Sequence, residues 1–448
     1  MKNKGSLGEE QVNKKSFTNI GDDYSLTRVP LSARQSLWSI TIIRIGALAT
    51  ISQFMLGAAL GYGMTFWQAF WATILGSVIL QVISFLLGYA GAREGLSTSL
   101  ISRYTGFGKY GSSIIGAVIA ISCIGWFGVQ NSVFAEGIVQ AFDGQISLPV
   151  AATITGLGVT VLVIFGFRLL SITATITVPA FLLVVGIGIY RVLSEYSIAD
   201  LINTQPAGDP LTMGAAATMV AGGFIIGAVI TPDFSRFAKS GKDVFWMATI
   251  GVLVGELGIN MIAVLLALAL RTSDIVNIMM YTSGWLGALV VILSTVKINN
   301  LNLYSSSLGF TNIFDSIFNI KLNRGKVTLV IGIIGTILSV LGILDYFVEF
   351  LVFLGVLVPP IAGIIVVDYY ILRSHRKELD LTRKEGTLPE NIGRLHPIVI
   401  LSWVAGFVSG YVLTIGIPSI NSLLISGIVY YIGNQLLRKK TRRRISHD

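Results

Sequence analysis

Four ionisable residues, Arg44, Glu136, Glu256 and Lys297, stand inside long apolar runs of this 448-residue sequence. A charge at such a position costs about 2.5–3.5 kcal/mol even on the most lenient insertion scale, so each needs a partner or a task. These side chains suit pairing, proton exchange or replacement of an inorganic cation. Around them the polar residues fall into groups. One run carries Arg44, Gly46, Thr50, Ser52, Gln53 and Gly57, and a second reads Gly222-Gly223-Phe224-Ile225-Ile226-Gly227 before Pro232. A third holds Ser294, Lys297 and Asn299, and a fourth has Cys123 followed by Gly125-Trp126-Phe127-Gly128-Val129-Gln130-Asn131. Tryptophan normally favours a membrane interface. Trp126 between two glycines therefore reads either as large-into-small packing or as an aromatic wall for a planar ligand, with Phe224 opposite.

Other chemistry is excluded by what is missing. A single cysteine, Cys123, allows neither an intramolecular disulfide nor a thiolate metal cluster. His375, His396 and His447 all fall in polar connecting or terminal segments. No nucleophile–base pair occurs within the apolar runs. The sequence thus points away from an enzyme, with no cofactor and no metal site expected. The first thirty residues lack the apolar core of a signal peptide.

The elements that must position these residues are set by composition. Hydrophobic residues make up 53% of the chain and charged ones 12%, with a mean hydropathy of +0.76. Soluble domains carry about 25% charge, so soluble, secreted and nucleic-acid-binding classes are excluded despite a net charge of +9. Apolar runs near 38–61, 66–90, 111–138, 148–167, 170–190, 212–232, 244–269, 283–305, 327–343, 346–369, 397–415 and 419–437 predict an all-α polytopic membrane protein with twelve transmembrane helices. With the N-terminus inside, 28 of the 32 Lys and Arg residues fall on the cytoplasmic side, and only Arg191 and Arg271 outside. Both termini are therefore expected in the cytoplasm of a cell (plasma) membrane protein. The basic run Arg438 to Arg444 reads as an anchor on anionic membrane lipids.

Runs one and six look unfit as plain lipid-facing helices, and they stand five apart. That spacing suggests two inverted five-helix repeats with a site at their interface. The expected organisation is a cytoplasmic N-tail 1–37 and a transport core 38–369, with repeats 38–193 and 212–369. A cytoplasmic loop 370–396, two further helices over 397–437 and a basic tail 438–448 complete it. Interruptions are expected near Ala49–Gln53 and Gly222–Gly227. A channel is disfavoured, because the polar groups sit on interrupted helices and form no ring of one charge.

The most specific segments are Gly125-Trp126-Phe127-Gly128, Pro232-Asp233-Phe234-Ser235-Arg236-Phe237 and Leu303 to Ile313, with weaker matches at Gly88 to Leu96 and Pro359 to Gly363. Through them nearly the whole chain resembles the nucleobase–cation symporter-1 family, in its cytosine permease branch. The resemblance implies a leucine-transporter-type 5+5 inverted repeat with helices 1 and 6 broken. It also implies secondary transport of a purine-like, cytosine-like or similar planar heteroaromatic. Trp126 and Phe224 would sandwich the ring. Backbone around Gly223 and Gly227 and the Asn299 amide would bind its edge, with Gln130, Asn131, Cys123 and Gln53 nearby. The chain departs from the family in two places. Cys123 replaces a glutamine three residues before the tryptophan, which counts against cytosine itself. Lys297 and Ile298 replace two threonines whose oxygens bind sodium with carbonyls near Gly46, leaving Ser294 as the one side-chain oxygen. The resulting expectation is sodium-independent transport, with Lys297 in the ion's place and a proton as the alternative coupling partner through Lys297 or Glu256. Glu256 and Glu136 are also candidate ion-pair partners for Lys297 or Arg44. The competing readings are a sodium-coupled cytosine symporter and an amino-acid permease of the same fold.

Overall fold

The structure, a computed structural model, describes residue 24 and residues 27–165 and 168–445, without the side chains of 112, 165, 168–176, 316 and 438–445. The rest of the N-tail, the Arg168 side chain and the side chains of Arg438 to Arg444 therefore lie outside the described residues. The chain begins with α1 (Leu37–Leu48), α2 (Ile51–Gly63), α3 (Phe66–Glu94), α4 (Gly111–Ala141), α5 (Leu148–Phe165) and α6 (Arg168–Glu195). It continues through α7 (Met213–Val229), α8 (Thr231–Ser235), α9 (Gly241–Val252), a π-turn over Leu253–Ile259 and α10 (Asn260–Leu270). Then come α11 (Ile275–Ser283), α12 (Trp285–Phe318), α13 (Arg324–Val340), α14 (Phe347–Leu357), α15 (Pro359–Val366), α16 (Arg376–Glu385), α17 (Pro397–Val412) and α18 (Pro418–Ile445).

The described part of every expected apolar run is largely helical. Among the described residues, seven helices are long and apolar enough to cross a membrane, and an eighth crossing is counted if the bent pair α1–α2 is one span. The apolar helices Leu148–Ile164, Met213–Val229 and Pro397–Val412 are shorter. The loop expected over 306–326 is instead helical as far as Phe318. Ser306 donates to the Ala120 carbonyl at 2.9 Å, which keeps α12 packed on α4 beyond the apolar run. The helix ends only where Asn319 turns left-handed at φ 54°.

The first expected break is present. Ala49 (ψ 73°) and Thr50 (φ −132°, ψ 160°) leave the helical region, and α1 meets α2 at 54°. The last carbonyls of α1 lose their intrahelical donors there. The second break is displaced from its expected place. The α7 helix runs unbroken through Gly222–Gly227 and turns only at Ile230, before Pro232 at the start of α8. The physical reason is packing. A Cβ at Gly222 would collide with the Leu351 carbonyl of α14, so this glycine permits close helix approach and not unwinding.

Two apolar cores flank the centre, one around α2, α6, α10 and α11 and one around α3, α7, α14 and α15, and Trp126 packs against both. The signature segments serve the ends of these helices. Gly88 and Gly91 let α3 approach Thr231 and Pro232, Ser235 donates to the Gly88 carbonyl at 2.8 Å, and Asp233 accepts from the Thr98 amide at 2.8 Å. Gly222→Val, by driving a branched side chain into the Leu351 backbone, is expected to cost about 1–3 kcal/mol. Gly158→Ala, with open space around its position, is expected to leave the melting temperature unchanged or slightly raised. Thermal unfolding of the two purified variants checks the contrast.

Candidate functional site

Helical spacing puts Cys123, Trp126 and Gln130 on one face of α4. Trp126 meets Phe347 and Phe350 edge-to-face, at 6.2 Å and 5.4 Å between ring centroids. Across the centre, Phe224 on α7 lies over Gly227, and the Arg44 guanidinium sits 4.5 Å above its ring. Arg44 is almost fully buried. It donates to the Gly227 carbonyl at 3.0 Å, to the Thr231 hydroxyl at 3.4 Å and to the Ser84 hydroxyl at 2.9 Å. Glu256 is carried by the π-turn, a local distortion that recurs at functional sites. The carboxylate faces Gln53 and the field of Arg44, and accepts from the Asn260 amide at 3.2 Å.

Several polar atoms in this region are buried without a hydrogen bond of good geometry: Gln53 Nε2, Gln130 Oε1, Glu256 Oε1, Asn260 Oδ1 and Arg44 Nε, although the Gln53 and Glu256 side chains face each other. Each such atom costs about 1–3 kcal/mol when left dry, and native proteins keep them for a reason. The packing brings Gln53, Glu256 and Asn260 together, with Gln130 against another face of α2. Gln53 Oε1 is 3.4 Å from where a Cβ at Gly223 would stand, Gln130 donates to Ser52 at 2.8 Å, and Gly57 lets α2 lie directly on Asn260. The result is a set of donors and acceptors beside aromatic rings.

A second, separate feature involves Lys297. Ala49, Thr50 and Ile51 at the α1–α2 break, Thr177, Val178 and Phe181 on α6, and Ser294, Lys297 and Ile298 on α12 line a cavity of about 10 Å³. Ser294 Oγ is buried there without a partner. Among the described residues no acid lies within ion-pair distance of Lys297. Nor do the described residues contain a cluster of His, Cys, Asp or Glu able to hold a metal ion.

Residues 28–416 match the model of the family described as permease for cytosine/purines, uracil, thiamine, allantoin. The chain belongs to this permease family. It is 30% identical over 427 residues to the cytosine permease of Escherichia coli (strain K12), covering 95% of this chain and 97% of the relative. It is 23% identical to the purine-uracil permease NCS1 of Arabidopsis thaliana, over 96% of this chain and 81% of that one. A solved inward-facing conformation of Mhp1 matches with a TM-score of 0.74 at 18% identity, covering 92% of this chain and 93% of the other. The closed, bromovinylhydantoin-bound form of Mhp1, a nucleobase-cation-symport-1 family transporter, matches at 0.65 and 17%, over 94% and 96%. The fold is that of Mhp1, and the expected membership of the nucleobase–cation symporter family holds. Members of the family are permeases and not enzymes.

In this permease the predicted residues divide. Trp126, Phe224, Gly223, Gln53, Gln130 and Cys123 stay around the central region. Asn299 does not: its amide donates to the Phe127 carbonyl at 3.3 Å and accepts from Asn302 at 3.3 Å, tying α12 to α4. Asn131 also leaves the set, because it donates to the Ala152 carbonyl at 2.8 Å and to Ser339 at 3.0 Å, and accepts from Thr155 at 2.9 Å. The Gly227 carbonyl is taken by Arg44 and Thr231. Gly46 does not line the Lys297 cavity, since the helix ends three residues later and presents Ala49 to Ile51 instead. Glu256 faces Arg44, not Lys297. Glu136 lies toward two other acids, Asp274 and Asp345, at the far end of α4.

Asn260 was missed, although Glu256 and Asn260 at i, i+4 in an apolar run were a visible signal. Phe347 and Phe350 gave no signal beyond hydrophobicity. One pair of substitutions separates ligand-facing from structural amides. Asn131→Leu is expected to lower stability by about 1–3 kcal/mol through its lost network while leaving ligand affinity near wild type. Gln130→Leu is expected to leave stability nearly unchanged and to weaken affinity about tenfold. Thermal unfolding and equilibrium binding on the same preparations check both.

Proposed function

We propose that this permease imports a nucleobase or a similar small planar heteroaromatic by alternating access. The observation that carries the reading is the group of buried polar atoms left without a hydrogen bond on Gln53, Gln130, Glu256 and Asn260, of which Gln130 shares α4 with Trp126 and Gln53 lies against Gly223, next to Phe224 on α7. A flat ring with donors and acceptors on its edge satisfies both features at once. Arg44 backs one face of Phe224, so the base stacks on the other face and Trp126 closes over it. The cytosine/purine family description and the bacterial cytosine relative support this class. Cys123, a poor hydrogen-bonding neighbour, disfavours cytosine relative to a larger or differently edged ring.

The finer architecture belongs to the same proposal. Twelve spans leave both termini in the cytoplasm of a cell membrane protein. Residues 38–193 and 212–369 form inverted repeats whose interrupted members are α1–α2 and α7–α8. The two breaks are the hinges about which the halves rock. Coupling does not use sodium. Lys297 projects from α12 into the cavity at the α1–α2 break, where its ammonium takes the role of a cation bound between these two elements. Sodium would there meet a positive charge beside the hydroxyls of Thr50, Thr177 and Ser294. A titrating Lys297 or Glu256 would make a proton the coupling ion, whereas a fixed Lys297 leaves facilitated exchange.

Uptake of labelled purine and pyrimidine bases into proteoliposomes tests this, with sodium replaced by choline and with or without an inward proton gradient. Equal uptake in sodium and choline is the expected result. A strict sodium requirement at fixed pH would refute the role given to Lys297, and transport of amino acids but not bases would refute the substrate class.

A further inference from the structure

The segment from Arg28 to Arg34, the C-terminal end of α3, the start of α9 and the end of α16 enclose an open cavity of about 520 Å³, remote from the transport centre. Six cations line it: Arg28, Arg34, Arg93, Lys239, Arg383 and Lys384. The one lining acid, Glu94, is fully buried and already committed. Its carboxylate pairs with Arg28 at 3.0 Å and Arg383 at 2.8 Å, and accepts from the Tyr369 hydroxyl at 2.6 Å. Asp380, outside the lining, takes Arg93 at 3.3 Å and Arg383 at 2.7 Å.

Three cations are then left over. Among the described residues the Arg34 guanidinium donates to the carbonyls of Ala92 (2.7 Å) and Ala238 (2.6 Å), and its Nε is buried without a partner there. Burial without a carboxylate pulls its pKa below the ordinary arginine value. Exposed Lys239 and Lys384 have no acidic partner among the described residues. A concave site with this surplus focuses positive potential. Its donors, a guanidinium edge and two mobile ammonium groups, match a tetrahedral oxyanion.

The rim indicates how such an anion arrives. Leu31 lines the cavity and is 83% exposed, and Trp38 in the first turn of α1 is 63% exposed. On the opposite wall Tyr89 contacts Phe85, which meets Phe245 edge-to-face, and Phe245 and Trp246 are both exposed. Exposed aromatics of this kind sit at headgroup level, and basic pockets between helices on the cytoplasmic side hold anionic headgroups. We infer that this cavity is a binding site for a phosphate-bearing anion, presented by an anionic phospholipid of the adjacent leaflet. The headgroup phosphate docks on Arg34, Lys239 and Lys384 while the acyl chains lie along the Leu31 and Trp38 edge. Occupancy fastens the N-terminal segment to α3, α9 and α16.

The test uses the full chain in nanodiscs of phosphatidylcholine with increasing phosphatidylglycerol, read by thermal shift. The comparison is Lys239→Gln/Lys384→Gln, two exposed positions outside both the transport centre and the Glu94 cluster. Phosphatidylglycerol is expected to raise the melting temperature. The double variant is expected to need about tenfold more lipid for the same shift, and a variant with the Arg438 to Arg444 charges removed is expected to respond like wild type. A double variant that responds fully, or a wild-type protein that shows no shift, would overturn the site. A parallel arm in detergent uses inorganic pyrophosphate. A lysine-dependent shift there, with none from phosphatidylglycerol, would uphold the phosphate chemistry and overturn the lipid as its source.

Discussion

A guanidinium almost wholly removed from water sets the terms for the centre of this permease. Arg44 is 2% exposed, and an ion so placed carries a desolvation penalty of several kcal/mol unless hydrogen bonds and an opposing charge answer it. The answer comes from three directions: the Gly227 carbonyl and Thr231 hydroxyl of α7–α8, the Ser84 hydroxyl of α3, and the facing carboxylate of Glu256. Phe224 adds its ring face. Helices remote in sequence are thereby fixed about one side chain, and each local irregularity has a place in the arrangement. The α7 helix stays regular as far as the carbonyl that Arg44 needs and turns just beyond it. The π-turn after α9 places Glu256, and Gly251 lets α9 lie against the Arg44 stem.

This arrangement separates two tasks. Recognition, in the reading proposed, belongs to Trp126 and Phe224 together with Gln53, Gln130, Glu256 and Asn260, which keep unpaired atoms. Holding α12 against the α1–α2 break is, in the same proposal, the task of Lys297 in its own small cavity. Keeping the ammonium apart from the acids leaves it the character of a bound cation, which an ion pair would cancel. The amides of Asn131 and Asn299 are engaged as interhelical ties, Asn131 to α5 and α13 and Asn299 to α4.

Much of this was legible in the sequence. Apolar run length located the long helices but not the shorter Ile275–Ser283 and Arg376–Glu385, and Gly342 to Asp345 correctly divided two adjacent runs, Gly342 being left-handed at φ 82°. The family could be read from segments that prove to be packing devices at helix ends, such as Gly88, Gly91 and Ser235. Other features were out of reach for physical reasons. A glycine pair in an apolar helix is equally suited to unwinding and to close approach, and only the Leu351 backbone against Gly222 decides between them. An amide in a span is equally suited to ligand and to tie. Asn131 and Gln130 are adjacent in sequence but one helical step apart in direction, so their roles diverge. Which acid answers which cation depends on helix neighbours, and no periodicity encodes that.

The most direct measurement is equilibrium binding of a labelled nucleobase panel to purified wild-type protein and to Phe224→Leu and Gln53→Leu variants that retain the wild-type melting temperature. The account predicts saturable binding of at least one planar base. It also predicts loss of about tenfold or more in affinity in each variant, one through the lost stacking face and the other through the lost edge contact. Binding at wild-type affinity in both variants, or no competition by any planar base, would contradict it.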